Sequence, residues 1–141
     1  MRKYFLLTAC AVFLFLAADC QDIKKDSLAN GDELILTKVE KMAGFDGGDG
    51  AWAKFIKKNL RYEVPISMGA PEGTYKITVR FVVGKDGTVK DIVPESHYGY
   101  GMEAELIRIM KSSPKWIPAT QNGRPVNAYR RQTVNFDIVY E

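Results

Sequence analysis

Thr74-Tyr75-Lys76-Ile77-Thr78-Val79-Arg80-Phe81-Val82-Val83, followed by Gly84-Lys85-Asp86-Gly87, decides the fold of this chain. Tyr75, Ile77, Val79, Phe81 and Val83 recur with period two, and Lys76, Thr78 and Arg80 alternate with them. Successive side chains of a strand point to opposite faces, so this stretch reads as a half-buried β-strand. Asp86-Gly87 supplies the turn that reverses the chain, and Thr88 to about Ser96 is expected to return as the second strand of a hairpin.

The pattern changes period on either side of the hairpin. Downstream, Met102, Leu106, Ile109 and Met110 share one face of a helix, with Glu103, Glu105, Arg108 and Lys111 expected outside. Pro114 ends that helix and Asn122-Gly123 makes another turn. About Val126 to Tyr140 reads as a long last strand, with Val134, Phe136, Ile138 and Tyr140 on one face and Thr133, Asn135 and Asp137 on the other. Upstream, Phe45 to Gly50 is a flexible turn, after which Trp52, Phe55, Ile56 and Leu60 recur at helical spacing. Asp49 suits the start of that helix electrostatically. Val64 to Gly73 holds two prolines and two glycines and reads as irregular.

The order helix, strand, strand, helix, strand predicts an α+β fold. It has a small three-stranded antiparallel sheet with helices on one face. The last strand is expected at the sheet edge. Its polar side carries Thr and Asn rather than a row of Lys, a weak guard against pairing with a foreign strand.

The remaining sequence concerns destination more than fold. Met1-Arg2-Lys3 precedes an apolar run from Tyr4 to Ala18, the pattern of a secretory signal. Fifteen residues are short of the roughly 20 that cross a bilayer as a helix. Residues 1–20 are therefore expected as a cleaved signal peptide. The alternatives are lipid attachment at Cys20 and a retained short N-terminal anchor. Residues 21–33 read as a polar tether and residues 34–141 as one domain. Both cysteines, Cys10 and Cys20, lie in the signal, so if it is removed after Cys20 the exported domain is expected to hold its fold by packing alone.

Charge and side-chain chemistry exclude several classes of function. With 20 Lys+Arg against 17 Asp+Glu, the net charge of +3 is too small to imply nucleic-acid binding. The one histidine, His97, follows Ser96, and neighbours on a strand face apart, so they do not form a nucleophile and base. One His and no mature Cys offer no zinc spacing. Asp46-Gly47-Gly48-Asp49-Gly50 lacks the alternating oxygen ligands of a calcium loop. No glycine pattern forms a phosphate loop, and Glu103 and Glu105 read as exposed helix charges. No catalytic residue, metal or cofactor is expected. Arg130-Arg131, with Arg124 and Tyr129, is a candidate anion patch, although the paired arginines would face opposite sides of a strand. Trp116, between Pro114 and Pro118, is expected as a core anchor, with a binding aromatic as the alternative.

Several short motifs in order carry a resemblance. Val79-Arg80-Phe81-Val82-Val83, Asp86-Gly87-Thr88-Val89, Trp116-Ile117-Pro118-Ala119, Asn122-Gly123-Arg124-Pro125-Val126 and Thr133-Val134-Asn135-Phe136 together resemble the C-terminal domain of TonB energy transducers. Phe45 with Gly47-Gly48, Phe55-Ile56 and Asn59-Leu60-Arg61-Tyr62 resemble the extension seen in Bacteroidetes members. Tyr98-Gly99-Tyr100-Gly101-Met102 and Ala128-Tyr129-Arg130 resemble one branch of that group.

The resemblance implies a periplasmic domain that binds the TonB box, a short peptide of outer-membrane transporters, by adding it as a strand beside the domain's last strand. Carried onto this chain, the pairing residues are Val134, Asn135, Phe136, Asp137, Ile138 and Val139. Full transducers also meet inner-membrane proton-driven motor proteins and cross the periplasm on a Pro-rich spacer. A tether of 13 residues reaches at most about 45 Å, and six prolines are too few for such a spacer. The alternative is a periplasmic or lipid-anchored interaction module that keeps the fold and has a different partner. A homodimer through the exposed strand is also open.

Overall fold

The alternating stretch becomes the centre of the sheet. In the computed structural model, which describes residues 33–140, Gly73–Val83 pairs on both sides. The elements in chain order are β1 (Ile35–Leu36), α1 (Gly48–Asn59), α2 (Glu63–Ser67), β2 (Gly73–Val83), β3 (Val89–Pro94), α3 (Met102–Lys111), β4 (Ala119–Gln121) and β5 (Arg124–Ile138). β5 runs antiparallel to β2 along the whole of β2, from Gly73 opposite Ile138 to Val83 opposite Ala128. β3 pairs with the other side of β2, also antiparallel.

The three longest strands are those expected from the sequence, but among the described residues the sheet has five. β1 pairs in parallel with β5 at Asn127 and Ala128, and β4 pairs antiparallel with Arg124 to Val126. Both additions are too short to show a periodicity. β4 is set by its turn, Asn122-Gly123, whose φ values of 51° and 70° are those of a two-residue hairpin turn. Just before β1, Glu33 reaches Lys90 at 3.0 Å and Lys85 at 3.3 Å. Its carboxyl is held down at about 2 by hydrogen bonding to Asn127 first, then to Lys90 and Lys85.

The core lies on one side of the sheet. Ile77, Val79, Phe81 and Val83 of β2 are fully buried, as are Met102, Leu106, Ile109 and Met110 of α3. Trp116 is a core anchor, as expected. Its ring packs with Phe45, Trp52 and Phe81, and Phe55 joins the cluster through Phe45 and Trp52, with centroid separations of 5.1 to 5.9 Å throughout. Such ring contacts, edge-to-face at Phe45–Trp116 and Phe81–Trp116, add to the large area that each aromatic buries.

Two expectations need correction. The Val64–Gly73 stretch is not wholly irregular, because Glu63–Ser67 forms α2. Pro65 is compatible with it because the first turn of a helix has no internal partner for its amides. Gly69, at φ 76°, then turns the chain away. Glu105 is not an exposed helix charge but 5% exposed. Its carboxylate accepts hydrogen bonds from Arg108 in the next turn and from the backbone N–H of Arg61 at 3.0 Å, while Arg108 also donates to the Asn59 carbonyl at 2.7 Å. This clasp ties α3 to the link between α1 and α2.

Candidate functional site

A strand's backbone alternates as its side chains do, so the useful question is which amides of β5 are already engaged. Thr78 answers it. Its carbonyl accepts from Glu95 N–H at 2.8 Å and its N–H donates to Ser96 Oγ at 3.2 Å, so its backbone faces β3. Ile77 and Val79 therefore face β5, and Thr78 with Thr133 forms a pair without mutual backbone bonds. In such a pair side chains come close, and the two Thr Oγ1 atoms lie 2.9 Å apart. Thr133 then turns its own N–H and C=O away from β2, and alternation gives Arg131, Asn135 and Asp137 the same direction.

The β4–β5 hairpin yields the same phase. Gln121 and Arg124 flank its two-residue turn, so even-numbered residues of β5 face β4 first and then β2. β1 takes the opposite edge, and only at Asn127 and Ala128. Beyond it, no strand among the described residues pairs with the outer edge of β5 from Arg131 to Asp137. The other sheet edge is interrupted. On β3, Asp91 and Ile92 stand opposite the single residue Phe81, Asp91 has φ 52°, and Pro94 has no N–H. A bulge and a proline are two ways in which an edge is blunted.

The six residues expected to pair with a partner divide by parity. Val134, Phe136 and Ile138 point their side chains into the core, at 8%, 0% and 2% exposure, and their backbones face β2. Asn135 and Asp137 are exposed and present backbone groups at the open edge. Val139 lies past the end of β5 and is 72% exposed. The sequence reading did not include Arg131 and Thr133, which belong to the open row.

The edge is held in place from both faces. On the outer face, Thr74 Oγ1 donates to Asp137 Oδ1 at 2.7 Å, and Arg131 Nε donates to Glu95 Oε2 at 2.8 Å. Glu95 also lies 3.6 Å from Arg80, whose guanidinium sits 4.8 Å from the centre of the Tyr129 ring. The Arg131 hydrogen bond holds the Glu95 carboxyl below its ordinary range. Exposed pairs of this kind stabilise only slightly, but each fixes a cross-strand position. On the inner face, Tyr62 packs 6.4 Å from Phe136 and is 43% exposed. Past the end of β5, Tyr140 Oη donates to the Ala70 carbonyl at 2.6 Å and Tyr140 N–H donates to Glu72 at 2.9 Å.

The other candidates are not assembled into a site. Arg130 and Arg131 diverge to the inner and outer faces, and Arg124 stands at the β4–β5 turn, so the candidate anion patch is not brought together. His97 is exposed, and Ser96 is occupied by Thr78. Among the described residues no three His, Cys, Asp or Glu side chains converge as metal ligands, and no helix is long and apolar enough to cross a membrane. Cys20 and the signal segment lie outside the described residues.

β5 thus presents a long open edge on a sheet packed against helices, and exposed sheet edges of this kind can take an added strand. Residues 72–138 match the family model described as Gram-negative bacterial TonB protein C-terminal, and this stretch of the chain belongs to that family. Searches of curated proteins and of solved structures return no significant match. TonB C-terminal domains are non-enzymatic, generally periplasmic, and associated with transport through outer-membrane transporters.

Proposed function

We propose that this domain engages the TonB box of outer-membrane transporters by strand addition along the outer edge of β5, and so contributes to TonB-dependent transport. The observation that carries this reading is the open backbone row of Arg131, Thr133, Asn135 and Asp137. A peptide in extended form can satisfy these N–H and C=O groups whatever its side chains are, which suits a domain serving varied transporters. The interrupted edge of β3 favours β5 as the acceptor. In this reading residues 1–20 export the chain, residues 21–33 tether it and residues 34–141 form the binding domain.

Titration of the ¹⁵N-labelled protein with synthetic TonB-box peptides tests the proposal. Chemical-shift changes are expected to concentrate at Arg131 to Asp137. Absence of binding by any box peptide would favour the alternative, an interaction module with this fold and a different partner.

A further inference from the structure

Beside the open edge lies a cation that the fold does not use. Arg130 is on the inner face of β5, directly opposite the fully buried Phe81, between Ala128 and Gln132. It is half-buried, and it forms no ion pair with any of the described residues. Its Nε is shut off from water without a hydrogen-bond partner, and no other side-chain nitrogen or oxygen among the described residues is in that state. Elsewhere the chain satisfies its half-buried cations. Arg108 has Glu105 and the Asn59 carbonyl, and Arg80 has Glu95 and the Tyr129 ring. A buried donor left unmade is costly, so an orphan of this kind calls for a reason.

Its backbone phase gives one. Arg130 is even-numbered, so its amide and carbonyl serve β2, and relative to a strand added antiparallel at the outer edge it takes a pair without mutual backbone bonds. Those are the pairs in which side chains approach most closely. The residue of the added strand opposite Arg130 therefore meets a guanidinium that is partly desolvated and unneutralised. An acidic side chain there can accept from it in the two-pronged geometry that arginine favours. Four and six residues further along the inner face the neighbours are Val134 and Phe136, with Tyr62 beside Phe136, so the rest of that face favours apolar side chains.

Resting on the strand-addition reading, we infer that Arg130 is a specificity-determining residue of the β5 edge, selecting peptides with an acidic side chain on the inner face opposite it.

The test walks a single Glu, and separately a single Gln, along a TonB-box peptide and measures affinity for wild type and for Arg130→Met by titration. One position is expected at which Glu binds wild type about tenfold more tightly than Gln, as a charge-assisted pair gives. In Arg130→Met that preference disappears. Arg130→Lys, which keeps the charge and loses the fork, is expected to retain part of it. Thermal melts of the variants accompany the titration, and Arg130→Met is expected to fold because it removes an unsatisfied donor. Glu and Gln binding equally at every position, with shifts still mapping to β5, would overturn the role of Arg130 and leave strand addition standing. The same preference surviving in Arg130→Met would also overturn it. No peptide shifting β5 amides would overturn both.

Discussion

Thr78 and Thr133 face each other across β2 and β5 with their Oγ1 atoms 2.9 Å apart, and the amide of Thr133 points away from the pair. Adjacent residues of β5 thus do different work. Even-numbered residues bond to β2 and hold the fold together, whereas odd-numbered ones from Arg131 to Asp137 turn their backbones to the open edge, where the proposed strand would add.

That division predicts opposite effects of proline at neighbouring positions. Asn135→Pro removes an outward N–H, so the protein should fold and lose at least about tenfold in peptide affinity. Val134→Pro removes a ladder bond to β2 and a core side chain, which should cost about 3 kcal/mol or more and unfold much of the population. Thermal melts and peptide titrations of the two variants separate the effects. Equal destabilisation by both would contradict the assigned phase.

The Glu105 clasp should appear as acid sensitivity. Arg108 holds the Glu105 carboxyl below its ordinary range against the opposing effect of burial. A carboxylate lowered in the folded state stabilises above its unfolded pKa, and that stabilisation is lost as pH falls through the lower, folded value. Glu105→Gln should therefore be less stable than wild type at pH 7, and the difference should shrink below about pH 4. Glu105→Ala should cost about 2 kcal/mol at neutral pH. This is less than for a fully buried pair, because the Arg108 side chain is 37% exposed and can turn to water. Urea denaturation across pH 3 to 7 measures both.

Gly87 joins the hairpin tip to the aromatic cluster. Its carbonyl accepts from Trp116 N–H at 2.8 Å, its φ is 82°, and an added Cβ would lie 2.3 Å from the Trp116 carbonyl oxygen. Gly87→Ala should therefore combine left-handed strain with a backbone collision and cost at least about 2 kcal/mol. Gly123, at φ 70° with open space around it, has the strain alone, and Gly123→Ala should cost about 1 kcal/mol. Melting temperatures of the two variants give the comparison.

Most of the fold was legible because long amphipathic elements announce their period. β2, α1 and α3 follow from alternation or helical spacing over ten or more residues. β1 and β4, two and three residues long, have no period to read and owe their pairing to the register of β5. α2 was hidden because a proline is a breaker in the interior of a helix but not in its first turn. Glu105 is not legible because a charged side chain in an amphipathic pattern looks exposed unless its partners are known, and the Arg61 N–H that donates to it comes from far along the chain. At the edge, alternation showed which side chains face the core but not which amides face β2. That phase follows from how β2 meets β3, which Thr78 and Glu95 fix in three dimensions, and from the β4–β5 turn, whose short first strand has no period to read.

The most direct measurement is residue-resolved amide hydrogen exchange with and without a TonB-box peptide. In the free protein, Gln132, Val134 and Phe136 should exchange slowly and Arg131, Thr133, Asn135 and Asp137 fast. Addition of the peptide should slow the odd-numbered four by at least about tenfold and leave the even-numbered amides and those of β3 unchanged. Peptide binding that leaves Arg131, Thr133, Asn135 and Asp137 exchanging as before would contradict strand addition at β5.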